Sequence, residues 1–266
     1  MKIAIIGCGN MGMAFANSFI QYNLVSKEDL LLIEKNKERG AVLQEQKAGV
    51  VVDTISEKIS AVDLVILSVK PQDYASVANE LSALLQANQI VLSIMAGIPI
   101  SKLQESLKHD LIVRAMPNTP ALVGKGVTGI AKGEFATDAQ LTITKNLLEA
   151  VGQVVVVNED QIDVVAAASG SGPAYYFYVT ELLIEAAVSH GLSRDVAQVL
   201  VENTFIGSSA LFENSDDNVV ELRRKVTSPK GTTQAAIEFL ESKDLKSIWQ
   251  NALGAAINRA EEISKN

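Results

Sequence analysis

Apolar residues come in short unbroken runs through the first half of this chain and in long helical stretches through the second. Runs at 3–6, 30–33, 50–52, 64–69, 90–94, 111–113, 127–131 and 154–157 are rich in Val, Ile and Leu and lack polar alternation. Strands that are apolar on both sides are covered on both faces, as in a parallel sheet flanked by helices. Helical patterns at 11–21, 74–85 and 139–151 lie between them. The alternation predicts a Rossmann-like doubly wound α/β domain over residues 1–158.

From about residue 160 the strand signals stop, and residues 159–266 read as an all-α domain. Pro173 suits the first turn of a helix reaching about Ser189, with Gly191 as its stop signal. Ser193 offers a cap for the next helix, which runs to about Phe212. Two more helices are predicted over 232–240 and 245–263. Between Pro173 and Val188 the only charges are Glu181 and Glu185, and between Asp195 and Glu213 the only one is Glu202. Such helices need burial on several sides, and a domain of this size has little core to offer. A second copy is the economical cover, and Gly207-Ser208-Ser209-Ala210 permits close approach. A homodimer is expected, with assembly above the dimer left open.

Composition narrows the function. A chain that is 48% hydrophobic and 20% charged is globular, not disordered. Its formal net charge of -8 argues against nucleic acid and anionic membrane as partners. The single cysteine, Cys8, forms no internal disulfide, and nothing has Cys/His ligand spacing, so no metal is expected. The first apolar run breaks at Gly7, too early for a secretory signal, and no stretch approaches the roughly 20 residues of a membrane helix. A cytoplasmic protein is expected.

Gly7-Cys8-Gly9-Asn10-Met11-Gly12 matches Gly-x-Gly-x-x-Gly directly after the strand ending at Ile6. Gly7 allows the tight turn, Gly9 lets amides approach a pyrophosphate, and Gly12 brings helix against strand. About 20 residues beyond Gly12, Glu34 ends the second strand, where a carboxylate accepts from a ribose 2′-OH and repels a 2′-phosphate. NADH is thereby favoured over NADPH, although Lys35 and Lys37 weaken the preference. At the carboxyl edge of the same sheet stand Ser68-Val69-Lys70-Pro71, Ile94-Met95-Ala96-Gly97 and Met116-Pro117-Asn118-Thr119-Pro120. The first two place Ser68, Lys70 and Ala96 along the cofactor crevice, and the prolines of the third hold Asn118 near the nicotinamide.

These motifs, with Ser169-Gly170-Ser171-Gly172-Pro173-Ala174-Tyr175 and Ser228-Pro229-Lys230-Gly231-Thr232-Thr233, resemble the Δ1-pyrroline-5-carboxylate reductase family in order along the chain. The resemblance implies reduction of 1-pyrroline-5-carboxylate to L-proline, with a Rossmann domain followed by a helical dimerisation domain. It also implies that amides around Gly231, Thr232 and Thr233 hold the substrate carboxylate and that the Thr233 hydroxyl donates to the ring nitrogen. Glu159 aligns with a ligand-contacting position. Lys230, a candidate substrate contact in the same loop, departs from the family, which usually has glycine there: its side chain either adds a charge to carboxylate binding or points to solvent.

The histidines are consistent with imine reduction. Carbonyl reduction needs a proton donor for the alkoxide, whereas a cyclic imine arrives already protonated. His109 precedes a strand and His190 ends a helix. Two rivals remain. A β-hydroxyacid dehydrogenase would carry a lysine on the first long helix, where this chain has none between Pro173 and Ser189. A non-catalytic sensor of the nicotinamide pool would not need the substrate loop.

Overall fold

The computed structural model describes residues 1–265. Contacts divide the chain into two compact units: residues 1–172 with the end of the chain from Ala256, and Pro173–Ala255. In the first unit the strands are β1 (Ile3–Ile6), β2 (Leu30–Ile33), β3 (Val50–Val52), β4 (Leu64–Leu67), β5 (Ile90–Ser93), β6 (Ile112–Met116), β7 (Gly126–Lys132) and β8 (Gly152–Val156). They form one sheet in the order β3-β2-β1-β4-β5-β6-β7-β8. Helices α1 (Asn10–Gln21), α2 (Lys37–Glu45), α3 (Tyr74–Leu81), α4 (Ile100–Leu107), α5 (Asp138–Leu148) and α6 (Ile162–Val165) accompany it.

Alternate strand residues feed two cores. Ile3, Ile5, Leu30, Leu32, Leu64 and Ile66 pack with Phe15 and Phe19 of α1. Ala4, Ile6, Leu31, Ile33, Val65 and Leu67 pack with Tyr74 and Leu81 of α3 and Leu103 of α4. Both faces of the central strands are covered, which is why their sequences lack polar alternation.

The sheet is not parallel throughout. β1 to β6 run parallel, β7 is antiparallel to β6, and β8 is parallel to β7. Parallel neighbours need a crossover of about a dozen residues or more. The β6–β7 link holds only the short turn Thr119–Val123, so the chain reverses; α5 provides the crossover between β7 and β8. After β8 the chain is helical, but the turn Glu159–Gln161 and α6 pack on β6 and β7, so the first unit extends to Gly172.

Below the sheet, the buried Gln89 donates to the carbonyls of Ile59 at 2.6 Å and Val62 at 2.7 Å, and accepts from the Gln86 N–H at 2.7 Å. His109 Nε2 donates to the Gln89 carbonyl at 2.7 Å. His109 is thus a structural histidine tied to the base of β5. Leaving buried polar groups without partners costs about 1–3 kcal/mol each, partly relieved by water. Gln89→Leu is expected to lower stability by about 2–3 kcal/mol in urea unfolding at fixed protein concentration.

The second unit holds α7 (Gly172–Ser189) from Pro173 onward, α8 (Arg194–Glu213), α9 (Val219–Lys225), α10 (Thr232–Ser242) and the first part of α11 (Leu245–Lys265). Tyr176 stacks on Phe205 with ring centroids 6.1 Å apart, joining α7 to α8. Ser193 occupies the N-cap position of α8, but its side chain makes no capping bond, contrary to the sequence expectation. The unit has little core of its own. Tyr176, Phe177, Leu183, Val199, Ile206 and Phe212 are exposed, Phe177 by 65%. An apolar surface of this extent marks an interaction face. Among the described residues no helix is long and apolar enough to cross a membrane.

Candidate active site

The glycine loop lies between β1 and α1, beside β4 where strand order departs in two directions. That switch point is where open α/β sheets bind ligands. Gly7 has φ 94°, and a Cβ there would lie 2.6 Å from the Ser68 carbonyl oxygen. A Cβ on Gly12 would lie 2.2 Å from the Gly7 carbonyl oxygen. Gly9 faces open space, with only Arg39 Nη1 at 3.9 Å from its would-be Cβ. Two glycines thus serve close packing and the third leaves room for a ligand. No acidic residue stands in the first turn of α1, so its N–H groups offer an unopposed anion site.

A crevice of about 530 Å3 opens beside this loop, lined among others by Ile6, Gly7, Glu34, Ser68, Val69 and Lys70. Seven of the fourteen sequence-predicted cofactor residues therefore line one crevice, Gly9 among them. Ser68 Oγ lies 3.1 Å from the Gly12 Cβ position, and Val69 touches that of Gly7. Asn10 and Met11 begin α1 on the loop's other side, and Pro71 opens the turn Pro71–Asp73.

Glu34 lines the crevice and also makes contacts within the protein. It is only 8% exposed, and its carboxylate accepts from the N–H groups of Cys8 at 3.2 Å and Asn36 at 2.9 Å. Oε2 ties the glycine loop to the end of β2, while Oε1 holds the backbone at Asn36. Arg39, which sequence reasoning missed, donates from Nη1 to the Cys8 carbonyl at 3.3 Å and lines the crevice. The Asn36 side chain caps α2 by accepting from the Arg39 N–H, so the cap also places this arginine. Lys35 turns to Asp73, at 2.9 Å. Cys8 is buried, and desolvation, with the charge of Glu34 adding to it, pushes its thiol up to about 12. It is a packed thiol, not a nucleophile.

The remaining loops hold themselves in shape. The Asn118 side-chain nitrogen donates to the Ser169 carbonyl and hydroxyl, both at 3.3 Å, while its oxygen accepts from the Val127 N–H at 2.9 Å. The amide expected at the nicotinamide is therefore a bracket joining its loop to β7 and to the π-turn Ala166–Gly170. Ala96 is half-buried after β5, next to Gly97 at φ 73°. A Cβ on Gly97 would meet Ile263 Cγ2 at 2.4 Å. Glu159, expected at the substrate, accepts from the Ile100 N–H at 2.5 Å and faces Arg114 Nη1 at 3.7 Å. Its Oε1 is engaged with the protein's own groups.

The run from Lys230 to Thr233 belongs to the second unit. Gly231 is the N-cap of α10, and no side chain caps that helix. Thr232 and Thr233 are its first residues, both exposed, so neither is a cap. The Gly231 N–H already donates to the Ser228 carbonyl at 3.0 Å, and the Lys230 N–H to Gln234 Oε1 at 2.7 Å. Gly231 is thus removed from the expected carboxylate donors, and the first-turn amides of Thr232 and Thr233 remain. Lys230 has φ 61°. The left-handed conformation explains why glycine suits this position in the family, and the lysine side chain itself is exposed.

Residues 2–97 match the family described as NADP oxidoreductase, coenzyme F420-dependent, and residues 159–263 match pyrroline-5-carboxylate reductase dimerisation. Fold, glycine loop and crevice together define an oxidoreductase that uses a nicotinamide dinucleotide. The pyrroline-5-carboxylate reductase of Corynebacterium melassecola is 38% identical over 99% of both chains, and the solved structure of one from Coxiella burnetii superposes with TM-score 0.91 at 36% identity, covering 100% of this chain and 99% of its own. The chain belongs to the pyrroline-5-carboxylate reductase family. The Plasmodium falciparum pyrroline carboxylate reductase, solved with NADP bound, is 29% identical with TM-score 0.84, covering 99% of this chain and 98% of its own. Prephenate dehydrogenase from Aquifex aeolicus, at 17% identity and TM-score 0.58, shares the fold alone.

Proposed function

We infer that this chain reduces 1-pyrroline-5-carboxylate to L-proline, the closing step of proline biosynthesis, as a cytoplasmic homodimer. The start of α10 carries the reading: two first-turn amides unopposed by a side-chain cap, and a hydroxyl at Thr233 not used for capping. Backbone N–H groups at a helix start suit a carboxylate. The Thr233 hydroxyl donates to the ring nitrogen and orients the protonated imine. A reduced nicotinamide supplies the hydride, which goes to C5. No strong acid is required, consistent with His109 being committed to Gln89. Burial of the exposed faces of α7 and α8 against a second copy supplies the core that this unit lacks.

On the cofactor, the inward clamp of Glu34 weakens its discrimination against a 2′-phosphate, and Arg39 adds a positive charge to the lining of the same crevice. NADH and NADPH are both expected to serve, with Arg39 favouring the phosphorylated form. Pyrroline-5-carboxylate-dependent oxidation of each cofactor tests the reading, and its absence with both overturns it. Arg39→Ala is expected to lower kcat/KM for NADPH about tenfold while leaving NADH nearly unchanged, the effect of losing one hydrogen bond to a charged group. Equal losses with both cofactors would assign Arg39 to the loop instead of the phosphate.

A further inference from the structure

Arg114 on β6 is 3% exposed, a buried cation held between two carboxylates. Its Nη2 donates to Asp163 Oδ1 at 2.9 Å, its Nη1 faces Glu159 Oε1 at 3.7 Å, and among the described residues its Nε finds no partner. The stronger tie of Arg114 is therefore to Asp163. Glu159 makes its own closest contact elsewhere, accepting from the Ile100 N–H at 2.5 Å.

Ile100 opens α4, whose N-cap is Pro99 and carries no side-chain cap. Proline has no side-chain oxygen, so the start of this helix lacks a local acceptor. Glu159 supplies it from 59 positions away, and its negative charge also suits the helix dipole. The loop directly before Pro99 carries Ala96 and Gly97, after the carboxyl end of β5, beside the strand that borders the cofactor crevice.

We propose that Glu159 is a positioning residue for cofactor binding, acting as a remote N-cap that fixes the loop at Ala96 against the sheet. The proposal rests on the dinucleotide reading of the first unit and makes Glu159 a contact of the protein's own backbone, not of substrate. Three variants test it in the full-length protein: Glu159→Gln, which keeps an acceptor for the Ile100 N–H but removes the charge; Glu159→Asp, which keeps the charge one methylene short; and Glu159→Ala. The expected result is a rise of about tenfold in the NADPH dissociation constant by fluorescence titration and in its KM for the Ala and Asp variants. The Gln variant stays within about threefold of wild type, since an acceptor is retained.

A raised KM for pyrroline-5-carboxylate with an unchanged NADPH dissociation constant would overturn the proposal in favour of a substrate contact. A lowered melting temperature with unchanged binding and kinetics would reduce Glu159 to a structural cap. A Gln variant as impaired as Ala would assign the effect to the charge beside Arg114. If Ala fails to fold, the Asp and Gln variants decide by the same criteria. Because the titration reads binding directly, failure of the wild type to turn over pyrroline-5-carboxylate would refute the substrate assignment separately.

Discussion

Gly12→Ala is expected to weaken cofactor binding by about 10²-fold, the scale of a displacement near 1 Å at a binding site. A Cβ there would sit 2.2 Å from the Gly7 carbonyl oxygen, a backbone atom that no rotamer change can remove. Ser68 Oγ and Ile5 Cγ2 close the same space at 3.1 and 3.2 Å. The start of α1 must therefore back away from β1, taking the anion-binding amides with it. Overpacking of this kind also costs about 1–3 kcal/mol of stability. Gly40→Ala is the control within the same unit, since its nearest neighbour, the Glu34 carbonyl oxygen, would be 3.8 Å from the new Cβ and its backbone is helical. That variant should bind cofactor normally and gain up to about 1 kcal/mol of stability. The measurements are titration with NADPH and urea unfolding. Normal NADPH affinity in Gly12→Ala would refute the close-packing account of the loop.

Where burial alone decides structure, the sequence was readable. β1 and β2 fall at 3–6 and 30–33 as the apolar runs predict, because a strand covered on both faces must be continuously apolar, and the edge strand β3 falls at 50–52 although it is only partly covered. The helices α2, α4 and α9 were not anticipated. They are short, and α2 and α9 are dominated by charged and polar residues, so a periodic apolar stripe is hard to see. The reversal at β7 was equally hidden, since strand direction follows from the length of the preceding link and not from the strand's own residues.

The site divides in the same way. Gly7 and Gly12 were legible because close packing around the strand-to-helix turn leaves no room for a Cβ at either position. Glu34 and Asn118 lie on the loops to which they were assigned, yet their polar groups serve the protein's own backbone and Ser169. Residue type and position cannot reveal where a carboxylate or amide finds its partners. Arg39 escaped notice because its relation to Cys8 spans 31 positions and depends on how α2 is capped. Lys230 became intelligible only through its backbone: φ 61° is a steric fact about the turn, independent of lysine's charge.

Thr233→Ala is expected to separate chemistry from stability at the start of α10. A threonine before or at a helix start ordinarily invites a capping explanation, and loss of a cap costs about 0.5–2 kcal/mol. Here the cap is Gly231, Thr233 is exposed, and no side chain caps the helix. Stability should therefore change by no more than about 0.5 kcal/mol. If the hydroxyl donates to the imine nitrogen during hydride transfer, kcat/KM for pyrroline-5-carboxylate should fall by roughly 10²–10³, the scale of losing one oriented donor. Thr233→Ser keeps the hydroxyl and should recover most of the rate, whereas Thr232→Ala, which leaves the backbone amides in place, should have a much smaller effect. The NADPH dissociation constant should stay constant across the series. Unchanged kcat/KM in Thr233→Ala would transfer substrate recognition to the amides alone, and a fall accompanied by lost stability would return Thr233 to a structural role.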